Sequence, residues 1–201
     1  MGNRGILHDD QRQLGNSRWT HSHWIICLTE FKNRHRQVMA PRHYTELFFM
    51  DEAVALAAGH RPCAECRRAD FNRYVAAVAE ASGQPPARAS VLDRQLHAER
   101  VHRNRRQKTH SLRLSEIPDG AMVHCPARTS DIRLRQANKL LLWRTEGYID
   151  DGTTISDTGN RESGNKKIDA DQVIEVLTPP VSVLALRAGY RPVIYPGARH
   201  G

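Results

Sequence analysis

Aromatic residues are scarce in this chain, at 6% of 201 residues, and hydrophobic residues of every kind reach only 39%. The core must therefore be modest and built mainly on Leu, Val and Ala, so a metal tie would help to hold it. No stretch approaches the ~18 consecutive apolar residues of a membrane-spanning helix. The opening Met-Gly-Asn-Arg-Gly-Ile-Leu-His has no long apolar run and does not read as a signal peptide. Met1-Gly2 begins as a myristoylation site does, but Ile6 stands where Ser or Thr is required. These absences predict a cytoplasmic protein with no membrane partner. Also missing are a phosphate-cradling Gly-rich loop, a complete nuclease signature and a Ser-His-Asp set at usable spacing, so a non-catalytic role is the default expectation.

Cysteine is limited to four residues, and in a cytoplasmic chain these read as metal ligands or reduced thiols rather than disulfides. What the chain has in excess is positive charge. The formal net charge is +8 and the sequence pI is about 9.7, with eleven histidines besides. Such a balance favours polyanions, above all nucleic acid, through release of condensed counterions. The alternative is a basic surface with no partner.

The pattern along the chain predicts an α/β (α+β) protein in three parts. The first, residues 20–83, carries two strands and two helices. Trp24 to Leu28 reads as a strand, and Tyr44 to Phe49 as a second. Asp51 is placed to cap a short helix over 53–58, which Gly59 ends in a left-handed residue. A second helix from about Ala64 to Ser82 puts Phe71, Tyr74, Val75 and Val78 on one face. The second part, 84–117, is a basic helical connector, with Ser90 and Asp93 spaced to cap a helix through about Asn104. The third, 118–201, is strand-rich, with strands over 121–125, 139–144 and 173–177 and a final helix over 181–188. Asp150 to Asp171, full of Gly, Asp, Asn, Ser and Thr, reads as a long loop. Ala53 to Pro62 and Val183 to Pro192 agree at six of ten positions, each reading as a helix, a glycine cap and an Arg-Pro exit.

Cys63-Ala64-Glu65-Cys66 has the spacing of a zinc knuckle, which delivers two ligands of a tetrahedron from one turn. Pro62 fixes the entry, and the amides of a following helix would favour thiolate charge. A redox pair is the rival reading, but the surrounding βαβ unit of a thioredoxin-like fold is missing. Further ligands must come from a distance. His23 and Cys27 form an H-x3-C pair, and His21, His43, His60 and Cys125 compete for the fourth place.

The run from Leu47 to Cys66, with its aromatic pair, Ala-rich helix and Ala58-Gly59-His60-Arg61-Pro62-Cys63-x2-Cys66, resembles the second half of the zinc-binding domain of the Ada DNA-repair methyltransferase and of stand-alone Ada-like modules. The likeness is specific over about 47–67 and looser back to His23. It implies a four-ligand zinc site at Cys63, Cys66, Cys27 and His23. The methyl-accepting version looks like C-x3-C, with its first cysteine as acceptor. The H-x3-C register of His23 and Cys27 instead puts histidine at that place, and Phe31 stands where a second cysteine would follow Cys27. A basic segment around 32–42 also lengthens the span between Cys27 and Cys63.

Lys32, Arg34 and Arg36 on that segment, with Arg94, Arg100, Arg103, Arg105, Arg106 and Lys108 on the connector, are the candidate nucleic-acid contacts. The stretch from Arg94 to Arg113 contains no aromatic residue for stacking on bases, so phosphate-backbone contacts are expected. The leading expectation is a zinc-stabilised nucleic-acid-binding or DNA-metabolism accessory protein. The alternatives are a metal-dependent nuclease or repair enzyme using Asp93, His97, Glu99 and His102, and a protein-interaction module whose zinc only holds the fold.

Overall fold

A computed structural model of the chain describes residues 1–34, 37–125, 131–156 and 167–195, with the backbone alone for 198–200. It is a mixed α+β fold on two open sheets. The smaller sheet joins pieces far apart in sequence. Gly2–Asn3 (β1) runs antiparallel to Ile25–Ile26 (β2), and β2 runs parallel to Arg61–Pro62 (β3). Tyr44 to Phe49, expected as a strand, contributes only a bridge from Leu47 to Gly2. Its other amide contact runs from Thr45 to the Gly5 carbonyl at 3.0 Å, so the N-terminal segment and not a ladder holds it.

Helix α1 covers Glu52–Ala57, and Asp51 caps it as expected by accepting the Val54 amide at 2.9 Å. Helix α2 covers Arg68–Ser82 and ends at Gly83 in the left-handed region. Its Phe71, Tyr74, Val75 and Val78 are all buried, as the spacing predicts. The helix begins four residues later than expected because the segment after Cys63 turns around the cysteine sulfur. Helix α3 covers Ala89–Arg100, with Arg88 at its start and no side-chain cap. Ser90 and Asp93 therefore form no capping box. Asp93 points inward instead, where Arg61 grips both its oxygens at 2.8 Å.

The larger sheet uses His110–Arg113 (β4), Met122–Cys125 (β5), Asp131–Gln136 (β6), Lys139–Arg144 (β7), Gly147–Asp150 (β8), Thr154–Ser156 (β9), Lys167–Asp169 (β10) and Val173–Val176 (β11). Its order is β10-β9-β7-β6-β5-β11-β4, with β8 also on β7 and Ala198–His200 (β12) on β8. Within the expected loop 150–171, β9 and β10 pair in parallel, while 157–166 lie outside the described residues. Helix α4, Pro180–Arg187, packs on α2 and α3.

One buried cluster runs through all three sequence segments. Leu56, Tyr74, Leu92, Leu96, Val123, Ile174, Val181 and Leu186 belong to it. Helix α1 faces two ways, since Ala53 and Ala57 join a second cluster with Met122, Leu134, Leu141 and Tyr148.

The two similar decapeptides end their helices alike. The Gly59 and Gly189 amides reach back to the Leu56 and Leu186 carbonyls at 2.8 and 3.1 Å, with φ of +81° and +90°. They also meet in space. Glu52 beside the first accepts the Tyr190 hydroxyl of the second at 2.6 Å and the Val193 amide at 3.0 Å.

The Arg61–Asp93 pair ties β3 to α3 with both side chains buried. Removing one partner strands a charge in the interior, which costs far more than the net worth of the pair. Asp93→Ala should therefore lower stability by about 3–5 kcal/mol in urea unfolding. A loss below about 1 kcal/mol would mean that water reaches Arg61 readily.

Candidate metal centre

The parallel register decides which sulfurs meet. Ile25 lies opposite Arg61 and Ile26 opposite Pro62, so the next residues on each strand, Cys27 and Cys63, emerge side by side. The Cys63 amide fixes this by donating to the Ile26 carbonyl at 2.9 Å. The turn from Ala64 to Arg67 then swings Cys66 back. The Leu28 amide donates to the Cys66 sulfur, and the Glu65 amide to the Cys63 sulfur, each at 3.4 Å. The Sγ atoms of Cys27, Cys63 and Cys66 all lie within 4.8 Å of one another. Three converging thiols can hold a metal ion.

The three thiols share charge unequally. A hydrogen bond with Cys27, together with the amides of Glu65 and Cys66, lowers Cys63 to about 5 against the opposing effect of burial. That same contact, then burial, raises Cys27. Burial is the first cause raising Cys66.

His23, expected as the fourth ligand, is not in the cluster. It is exposed, and its ring lies 5.6 Å from that of His21. The strand is too short to carry the H-x3-C pair on one face. Residues 21–24 bend before β2, and the Trp24 indole N–H donates to the His21 carbonyl at 3.0 Å. The other candidates are elsewhere too. His43 is exposed, Cys125 is buried on β5, and His60 is buried against Phe49 and Trp24. Among the described residues, no fourth His, Cys, Asp or Glu places a donor atom within 4.8 Å of all three sulfurs.

All three cysteines line a cavity of about 460 Å³, shared with Phe31, Val38, Tyr44, Phe48 and Arg34. This wall is not legible in the sequence, because Phe31 and Val38 lie in or beside the basic segment while Tyr44 and Phe48 belong to a run that reads as a strand.

The basic candidates divide into two kinds. Arg100 is buried and does not face solvent. Its guanidinium donates to the Gly59 and Ser22 carbonyls at 2.7 Å each and lies 3.8 Å over the Trp24 ring, which Arg4 also approaches at 3.8 Å. Burial, then the charge of Arg4, lowers Arg100 to about 9. Lys108 is half-buried and donates to the Ala98 carbonyl at 2.6 Å. Lys32, Arg34, Arg94, Arg103, Arg105 and Arg106 are exposed, and Arg36 lies outside the described residues. Arg34 pairs with Glu65 at 2.8 Å. Arg103, Arg105 and Arg106 sit on a tight loop closed by the Val101–Gln107 bridge.

Three of the four residues considered for nuclease chemistry have structural partners, and His102 is exposed. Asp93 holds Arg61, Glu99 accepts the Val181 amide at 2.8 Å at the start of α4, and His97 packs edge-on to Trp19. Compared with family models, curated proteins and solved structures, the chain matches none.

Metal binding by these thiols must displace the protons that Cys27 and Cys66 hold near neutrality, while Cys63 already carries charge. About two protons should therefore be released per metal ion near pH 7, read with a pH indicator in weak buffer. Affinity should fall with decreasing pH and collapse as Cys63 protonates around 5.

Proposed function

We propose that the chain is a zinc-stabilised nucleic-acid-binding accessory protein of DNA metabolism, without catalysis of its own. The observation that carries this reading is the convergence of Cys27, Cys63 and Cys66 at one point. Soft thiolates favour zinc over hard cations, and a C-x2-C turn supported by backbone amides is the usual way a knuckle offers two of them. The resemblance of 47–67 to Ada-like zinc modules supports the same metal and a role close to DNA. The thiols of Cys27, Cys63 and Cys66 would hold the ion, tying the β2–β3 pair to the start of α2.

Nucleic-acid binding is supported by the net charge of +8 and by where the free cations stand. Arg94, Arg103 and Arg106 are exposed and form no ion pair among the described residues. Arg105 on the same loop donates to the Asn16 carbonyl at 3.0 Å, which leaves its charge uncompensated. Contacts from such a loop fall on phosphates and carry little sequence information.

Metal analysis of the purified protein should find about one zinc per chain. Cys63→Ser should lose it, and Cys125→Ser, away from the cluster, should keep it. Duplex DNA should bind with an affinity that falls steeply with salt. Replacing Arg103, Arg105 and Arg106 together by Ala should flatten the slope of log K against log salt by about 2–3. Zinc-loaded protein that ignores DNA at low salt would leave the interaction-module reading in its place.

A further inference from the structure

Among the described residues, the metal centre proposed above has three cysteine donors, and beside them lies a cavity of mixed wall, with apolar side chains alongside Met1, Asn3, Thr29, Arg34, Glu46 and Glu65. Cys27, Cys63 and Cys66 all line it, so an ion held by the three sulfurs would lie at the edge of this space. Sites closed by four protein ligands are structural, whereas three ligands leave room for an exchangeable one. The Met1 amino group, at the same wall, donates to the Cys27 carbonyl at 3.0 Å. Glu65 pairs with Arg34, Glu46 accepts the Met39 amide at 2.9 Å, and neither carboxylate joins the cluster.

The rest of the wall indicates what fits. Phe31, Val38, Tyr44, Phe48 and Leu28 line it, and Phe48 is 65% exposed, Val38 48% and Leu28 44%. Large apolar side chains left in water around a metal position mark a binding surface for an apolar body. The volume of about 460 Å³ falls in the range of small-molecule sites. Lys32 Nζ and Arg34 Cζ lie 5.2 and 5.3 Å from the Phe31 ring centroid, placing positive charge beside the cavity. A fourth thiolate is among the donors that complete a three-cysteine zinc site.

We propose that the cavity binds a small organic thiol, whose sulfur takes the fourth coordination position and whose apolar body packs on Phe48, Tyr44 and Val38. Binding is a ligand exchange without redox change. The thiol would lose its S–H proton to solvent, and its sulfur would take the place of whatever solvent ligand the ion held.

Cobalt(II)-loaded protein titrated with benzyl mercaptan tests this, with benzyl alcohol as the control lacking sulfur. The thiol should shift the d–d bands saturably and intensify the sulfur-to-cobalt charge-transfer absorption, and the alcohol should do neither. X-ray absorption should then count four sulfurs where three stood before. Phe48→Ala, a change at an exposed side chain, should weaken the titration about tenfold while cobalt uptake stays intact. A spectrum unmoved by excess thiol, cobalt stripped by it, or a fourth protein ligand present before any thiol is added would overturn the proposal while leaving the metal centre standing. Failure of the three cysteines to take up cobalt at all would remove both.

Discussion

Two residues of parallel pairing, Ile25 with Arg61 and Ile26 with Pro62, support most of what is distinctive in this molecule. On one side of the pair, the register sets Cys27 beside Cys63 and lets the following turn return Cys66 to the same point. On the other side, Arg61 leaves β3 and enters the interior to meet Asp93 on α3. The Arg61 amide donates to the Trp24 carbonyl at 3.1 Å, and the Cys63 amide to that of Ile26 at 2.9 Å. A slip of one residue would separate the sulfurs and send the Arg61 side chain to the opposite face. A ladder this short has little stability alone. It depends on the packing around it, and a metal ion held across it would add to that support.

The charge of the chain is used in two ways, and composition does not separate them. Arg61, Arg100 and Arg133 are buried. Arg133 meets Asp151 at 3.0 Å and Arg61 meets Asp93. Arg100 has carbonyl acceptors and the Trp24 face in place of an ion pair, and burial lowers its pKa accordingly. These arginines do the work that aromatic and aliphatic volume does in richer cores. Only the cations left on the surface, Arg94, Arg103 and Arg106 among them, are available to a polyanion.

Sequence periodicity located the helices well. The buried face of α2, the Asp51 cap and the glycine stops after α1 and α4 follow from local chemistry, since each needs only neighbours within a turn or two. The reading failed where partners are remote. Asp93 looked like a capping residue until Arg61, 32 positions away, claimed it. Tyr44 to Phe49 has the composition of a strand, but among the described residues its backbone pairs only with Gly2 and Gly5, so it forms a bridge. No helix or strand is read from residues 1–23, yet they supply β1 and set Arg4 over the buried Trp24.

By itself, then, the sequence picked out the thiol pair Cys63 and Cys66, because bringing two cysteines three positions apart together is a matter of local turn geometry. It also singled out Cys27, though not by any local rule that excluded its rivals. Only the tertiary structure decided that Cys27 belongs with the pair and His23 does not, and that a cavity opens beside the three sulfurs. The physical reason is distance along the chain. Which side chains meet across 36 residues is set by strand register and core packing, and neither is written in any short stretch of residues.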